Sequence, residues 1–490
     1  MVTSVSNISN TGSLSSTGIG SGLDVTTIIT KLMAVEAVPL TSLKTAASDL
    51  STKLSTVGKM QGYFAALQTK ANALTSPDLW GATSATASDD SAVKVSTGND
   101  AAAGSYAVAV SKLAVGQTVT SAALASSSAT VGAGTLTNEL GSYGAGDPPA
   151  GFSASGTGAM TITVGPGETG LTVLRDKING SNSGVTATII TDASGARLSL
   201  RSRDTGTENA FRISVTEAAD DGNASTGLSA LAYDATQANS PMQRTTSAAN
   251  AELTVNGIAV SSASNTLSNV VDGLTLTLQK TTSSDTNITV RSDTASIKTA
   301  VTDFAAAFNT LAAFIASQTA YNADTKVGGT MQGDQSTLAL QSQLRAVINQ
   351  GSTASSSWSR LSEIGLALKA DGTFATDNTK LDNALGNLGE MKKLLAADGS
   401  TSAESGFVRR FKNLADAALG SQGLFAARTS SLQATVSRNG KSQEAMQKRL
   451  DQTQARLQAQ YSALDTRMAS LNALSTYMTQ QITQSNKSTV

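Results

Sequence analysis

Residues 450–482 read LDQTQARLQAQYSALDTRMASLNALSTYMTQQI. Within them Leu450, Gln454, Leu457, Tyr461, Leu464, Met468, Leu471, Ser475, Met478 and Ile482 recur in steps of four and three, and eight of these ten are apolar. That is a coiled-coil seam sustained for more than four heptads. Two apolar residues in seven make a stripe too narrow for a globular core, so this helix requires one or two partner helices.

The best partner in the sequence lies at the opposite end. Leu43, Ala46, Leu50, Lys53, Val57, Met60, Phe64, Leu67, Ala71 and Leu74 repeat in steps of three and four, and nine of the ten are apolar. Pro39 stands just before this run, where a first helical turn tolerates it, and Pro77 follows its end. The expected assembly seam is therefore Leu43, Leu50, Val57, Phe64, Leu67 and Leu74 against Leu450, Leu457, Tyr461, Leu464, Met468, Leu471, Met478 and Ile482. Lys53, Gln454 and Ser475 interrupt the stripes; such positions lower stability and can set register.

Composition removes several function classes. The 490 residues suffice for about three domains. Cysteine and histidine are both absent, so disulfides, thiolate or imidazole metal sites and a Ser-His-Asp triad are excluded. No cofactor or metal is expected, and the chain reads as a non-enzyme. A net charge of −1 argues against nucleic acid as the main partner. Aromatic residues are 4% and charged residues 14%, with Ser, Thr, Ala, Gly and Asn filling the remainder, a bias that suits extended β surfaces. No apolar run reaches the roughly 18 residues of a membrane span, so no membrane insertion is expected. Met1 to Leu14 has no basic residue and no apolar core, unlike a secretory signal peptide.

Residues 1–22 are rich in Ser, Thr, Gly and Asn and are expected to be disordered in isolation. Asp24 is placed to cap a helix carrying Val25, Ile28, Ile29, Leu32, Met33 and Val35. After Pro77 the period changes to two: Val93 and Val95, then Gly104 to Val110, read as strands. Residues 120–159 read as a long loop or insert. Strands are expected at Met160 to Val164, Val185 to Ile190, Arg197 to Leu200 and Phe211 to Val215, with a short helix at Leu171 to Ile178. Residues 218–250 form a second polar segment. Asn256-Gly257 between two apolar runs predicts a hairpin, and Leu274 to Leu278 and Ile288 to Val290 add strands.

From Asp293 the helical period returns, with Ile297, Val301, Phe304, Phe308, Leu311 and Ile315 on one face. Leu338 to Ile348 marks another helix. Ile364 to Phe374 suggests a hairpin, and Asp377 caps a helix carrying Leu381, Leu385 and Leu388. Phe407 to Leu419 and Leu424 to Val436 lead into the final seam. Arg438, Lys441, Lys448, Arg449 and Arg456 face only Glu444 and Asp451, which reads as a solvated helix face or as an interface for an acidic partner. Asp371 to Asp377 lacks the pattern of a calcium loop and reads as a turn and cap. Asp89-Asp90 and Asp220-Asp221 are paired carboxylates in polar loops, with nothing to mark them as an acid/base pair.

The ordered motifs resemble the bacterial flagellar filament cap family. Gly18-Ile19-Gly20-Ser21-Gly22-Leu23-Asp24 is similar to its N-terminal signature, and Gly104 to Ala114 to its first head strand. Ile178-Asn179, Gly184 to Ala187 and Leu198 to Gly206 resemble an IN motif shared with some flagellins. Val255-Asn256-Gly257, Ser264 to Thr266, Val271 to Leu276, Ile364-Gly365 with Asp371 to Asp377, Leu464 to Met468 and Leu474 to Gln481 continue the resemblance to the C-terminus. Flagellin is the nearest rival, disfavoured because the Gly-rich entry and the Asp371-Gly372 segment resemble the cap family.

The resemblance implies an α+β multidomain chain with helical coiled-coil legs from both termini and nested β-rich head domains between them. The expected divisions are 1–38 stalk, 39–85 leg, 86–115 inner head, 116–245 outer head, 246–292 inner head, 293–448 leg and 449–490 C-terminal coiled-coil stalk. It further implies a ring homo-oligomer, most often a pentamer, at the extracellular flagellum tip, with flagellin and hook–filament junction proteins as partners. Export proceeds without a cleaved signal peptide, and the unpaired C-terminal helix is the expected site for an export chaperone. A secreted adhesin binding mucin or host glycans through the β head is the alternative function.

Overall fold

The computed structural model describes residues 24–98, 101–156 and 158–487, with side chains to residue 484. The signature glycines Gly18, Gly20 and Gly22 lie outside the described residues, as does Met1 to Leu14. The chain divides into two units, one holding the described residues through Ser76 and from Lys298 onward, the other Pro77–Ile297.

The first unit opens with α1 (Val25–Glu36) and α2 (Val38–Thr75). Asp24 caps α1 by accepting a hydrogen bond from the Thr27 amide at 3.0 Å. Pro39 occupies the first turn of α2, where its missing N–H costs nothing.

The second unit begins with α3 (Pro77–Gly81), β1 (Thr83–Ala87), β2 (Val93–Thr97), β3 (Gly104–Lys112), β4 (Thr118–Thr120) and β5 (Gly134–Tyr143). It continues through β6 (Phe152–Ala154), β7 (Met160–Val164), α4 (Leu171–Gly180), β8 (Val185–Asp192), β9 (Gly195–Ser202) and β10 (Ala210–Glu217). The remaining strands are β11 (Gln243–Thr246), β12 (Ala251–Val255), β13 (Ile258–Ser262), β14 (Thr266–Val271), β15 (Leu274–Leu278) and β16 (Thr286–Ser292).

This unit has two apolar cores. Residues between Ala92 and Ala114 and between Ala251 and Val290 build one of them. Two antiparallel sheets enclose it, in the orders β1-β16-β3-β12-β13 and β14-β15-β2. The Asn256-Gly257 turn joins β12 to β13 with φ of 49° and 80°, the two positive angles a tight primed hairpin demands. Residues between Val119 and Met242 build the other core, under the sheets β10-β5-β6, with β7 also paired to β5, and β11-β4-β9-β8. Leu171, Leu174 and Ile178 of α4 are buried in it at helical spacing.

The stretch 120–159, expected as loop, contains the ten-residue strand β5, which pairs with β10, β6 and β7. Its inward side carries Asn138, which is buried and donates to the Ser183 carbonyl at 2.7 Å. A polar residue facing the core erased the expected apolar alternation.

The first unit resumes along α5 (Thr294–Thr319), followed by β17 (Tyr321–Asn322), β18 (Val327–Gly328), α6 (Gln335–Asn349), β19 (Leu366–Leu368) and β20 (Phe374–Thr376). Then come α7 (Asn378–Leu385), α8 (Leu388–Ala396), α9 (Phe407–Leu419) and α10 (Leu424–Lys487). The helix expected over Leu381 to Leu388 is two helices, because Asn387 starts a new one by accepting from the Glu390 amide. At about 1.5 Å per residue, α10 is roughly 96 Å long.

The core of this unit is aromatic. Phe308 meets Phe374 at 4.5 Å and Phe411 at 5.6 Å, Phe304 meets Phe411 at 5.4 Å, and Phe64 meets Phe425 at 5.5 Å. By length and composition α5 is long and apolar enough to cross a membrane, although polar residues interrupt it throughout. Val301, Phe304, Phe308, Leu311 and Ile315 are, however, buried in the fold, as in the core helix of a folded domain.

Candidate assembly seam

The expected seam residues fall into three groups. Val57, Phe64, Leu67, Leu74 and Leu450 are buried; Leu43, Leu50, Leu457, Tyr461 and Met468 are half-buried. Leu464, Leu471, Met478 and Ile482 are exposed, the last three by more than half. The change from buried to exposed follows the chain direction of α10.

The register explains it. Phe425 of α10 meets Phe64 of α2, Gln443 reaches the Leu43 carbonyl at 3.4 Å, and Arg449 lies 4.0 Å from Glu36 of α1. Gln454, Gln458 and Ser462 then border a cavity with Val25 and Ile29 of α1. Rising numbers on α10 meet falling numbers on α1 and α2, so the pairing is antiparallel. The partner of α2 is thus the first third of α10, around 425–443, and not the 450–482 stretch that its period suggested. A heptad pattern fixes which face of a helix is apolar; it is unchanged by a shift of seven residues, so it leaves register open.

Three contributors were not legible as seam residues. Thr56 is buried beside Val57 because its hydroxyl is satisfied by the Thr52 carbonyl at 2.9 Å, the local back-bond that lets a threonine face a helix interface. Gln68 donates to Asp416 of α9 at 2.5 Å, and Lys70 pairs with Asp303 of α5 at 2.8 Å. These polar groups flank the buried stripe and orient α2 against its neighbours.

Electrostatics fasten the base of α10. Arg428 forms a short ion pair with Asp334, and Asp334 also accepts from the Thr337 amide at 3.0 Å as cap of α6. Further along, Arg438, Lys441, Lys448, Arg449 and Arg456 are all exposed. Glu36 stands 4.0 Å from Arg449, and the basic run is exposed to solvent.

Several of the other carboxylates have structural partners. Asp371 accepts from the Thr373 hydroxyl at 2.6 Å and amide at 2.8 Å, and these bonds hold its carboxyl below the usual range. Asp377 caps α7 through the Thr379 and Lys380 amides. Asp89 pairs with Lys280 and accepts from Ser91. Glu217, Asp220 and Asp221 approach one another closely enough to share a cation, but Glu217 already accepts from the Ser229 amide and Asp221 from Thr226. These are turn and cap geometries, with no acid/base arrangement.

Residues 21–117 match the flagellar hook-associated protein 2 N-terminus and residues 248–473 its C-terminus, with a flagellin hook IN motif over 152–204. The flagellar hook-associated protein 2 of Escherichia coli K12 is 32% identical over 486 residues, covering 97% of this chain and 99% of that protein. The B-type flagellar hook-associated protein 2 of Pseudomonas aeruginosa is 32% identical over 467 residues, covering 92% and 93%. The crystal structure of the D1-D2-D3 domains of the Escherichia coli flagellar cap protein FliD superposes with a TM-score of 0.59 at 30% identity, covering 77% of this chain and 99% of that one. The chain therefore belongs to the flagellar hook-associated protein 2 family of flagellar cap proteins.

Proposed function

We propose that this chain caps the tip of the growing flagellar filament and promotes insertion of exported flagellin subunits. The observation that carries the reading is its end-to-end similarity to cap proteins, across both the helical and the β units. In this reading several copies form a ring, a pentamer by family likeness, and work outside the cell at the filament tip. The role is structural, without catalysis. The helical base grips flagellin and neighbouring hook–filament junction proteins, and the β unit forms the plate, with the inner and outer head divisions expected from the sequence.

The exposed apolar stripe of Leu464, Leu471, Met478 and Ile482 supports an interaction role for the end of α10. Narrow seams suit repeated grip and release, because each heptad adds only a few apolar contacts. The same stripe is the natural chaperone site before export.

The test is genetic. A strain lacking this chain should release unpolymerised flagellin into the medium, and the full chain supplied in trans should restore filaments. Normal filaments in its absence would refute the reading. Native mass measurement of the purified chain reads the ring size directly, and a chain truncated after Arg449 should lose the export chaperone.

A further inference from the structure

The α1 helix is joined to the rest of its unit in an unusual way. It bends by 45° from α2 across the single residue Ala37. Pro39 follows two residues later and has no N–H to carry the helical ladder across the break. The Ala37 amide closes α1 on the Met33 carbonyl at 2.9 Å, and the Thr41 amide opens α2 on the Ala37 carbonyl at 3.1 Å. Each helix is therefore complete on its own side of the break, and a rotation at Ala37 breaks no long-range backbone bond.

Little holds α1 down. Its apolar residues include Val25, Ile28, Ile29, Leu32, Met33 and Val35, yet only Val25 and Ile29 are buried. Between them and α10 lies a cavity of about 310 Å³, whose other walls are Thr26, Thr30, Gln454, Gln458 and Ser462. These walls are polar, so water entering on separation would satisfy them. Gln454 stands where the heptad pattern of α10 would otherwise place an apolar side chain, a substitution that weakens a seam. Among the described residues one ion pair crosses from α1 to α10, Glu36 with Arg449, 4.0 Å long and exposed on both sides.

From this geometry we infer that α1 is a reversible strap, which pivots at Ala37 to dock on or leave the Gln454–Ser462 face of α10. Docked, it buries Val25 and Ile29 beside a stretch of α10 where Leu457 and Tyr461 are half-buried, while Gln454, Gln458 and Ser462 stay exposed at its margin. Undocked, it frees Leu457 and Tyr461, whose heptad positions run on into the exposed stripe that begins at Leu464. A partner helix then finds a longer landing surface, and the partner's departure lets the strap return. The existence of the two positions rests on the joint alone; their use in subunit exchange rests on the cap reading above.

The chain has no native cysteine, so paired spin labels report without interference. Full-length Thr30→Cys/Gln458→Cys, labelled and measured by pulsed electron spin resonance, should give a short and a long distance population. A Lys44→Cys/Glu444→Cys pair, beside the Gln443–Leu43 contact, should give one narrow population and shows that the unit is folded. Glu36→Gln should raise the long population about twofold, the size of an exposed ion pair. Gln454→Leu should lower it about threefold by adding partly covered apolar surface at the cavity edge. A single short distance in every variant, or broadening of both label pairs together, overturns the inference. Either result stands whether or not the chain caps a filament.

Discussion

The side-chain amide of Gln443 on α10 lies 3.4 Å from the backbone carbonyl of Leu43 on α2, linking positions 400 residues apart in sequence. This contact ties the first helical segment of the chain to the last. It lies at the outer end of an antiparallel pair whose inner end is the Phe64–Phe425 contact. Ser462 borders the cavity at the Val25 end of α1.

The buried and exposed ends of the seam should answer mutation differently. Phe64 is fully buried against Phe425, so Phe64→Ala should cost about 3–5 kcal/mol through lost burial and the cavity left behind. Leu471 is 58% exposed, so Leu471→Ala should change stability by no more than about 0.5 kcal/mol. Urea denaturation followed by far-ultraviolet circular dichroism measures both. Similar losses at the two sites would mean that the end of α10 is packed against something in the isolated chain.

Charge placed on the exposed stripe should separate assembly from folding. Leu471→Asp with Met478→Asp should leave the melting temperature within a degree or two and abolish restoration of filaments in a strain lacking the chain. Restored filaments would remove this stripe from the working surface.

Gly365 has φ of 95°, and a Cβ there would stand 2.4 Å from the Asp377 carbonyl oxygen. That carbonyl accepts the Leu381 amide as the first bond of α7, and the Asp377 amide donates to the Gly365 carbonyl at 2.8 Å. Gly365→Ala should therefore destabilise the unit by more than about 1 kcal/mol, through backbone strain and displacement of the cap. A neutral result in thermal unfolding would show that the loop can relax. Asp377→Ala tests the same joint from its other side and should cost about 1 kcal/mol.

Glu390 supplies a pH signature. Lys393 first, then the Ser355 hydroxyl and the Ser356 amide, hold its carboxyl down at about 2, from an ordinary 4.5. A depressed folded value means that the charged form stabilises the fold. Its contribution is complete above the ordinary glutamate range and is lost as pH falls towards about 2. Glu390→Gln should lower the melting temperature at neutral pH, and its difference from the parent chain should shrink steadily below about pH 4.5. A constant difference down to pH 2 would contradict the assignment.

Local signals made much of the fold readable. Asp24 and Asp377 sit as caps, Asn256-Gly257 turns a hairpin, and α4, α5 and α2 from Val57 onward bury the faces that their spacing marks. The strand β5 was hidden because Asn138 faces the core and finds its partner at Ser183, 45 residues away. The break between α7 and α8 was hidden because Asn387 caps a helix where the apolar spacing runs on.

By itself, then, the sequence determined that both ends are narrow-striped helices, that β structure lies between them, and that histidine and cysteine chemistry is absent. Each of these follows from period, capping or composition, which act over a few residues. Only the tertiary structure decided that α2 lies along 425–443 of α10, that α1 takes the next stretch, and that Leu464, Leu471, Met478 and Ile482 remain exposed. Register is a long-range choice: heptads displaced by seven residues look alike, and aromatic packing at Phe64 and Phe425, with the single bond at Gln443, selects among them.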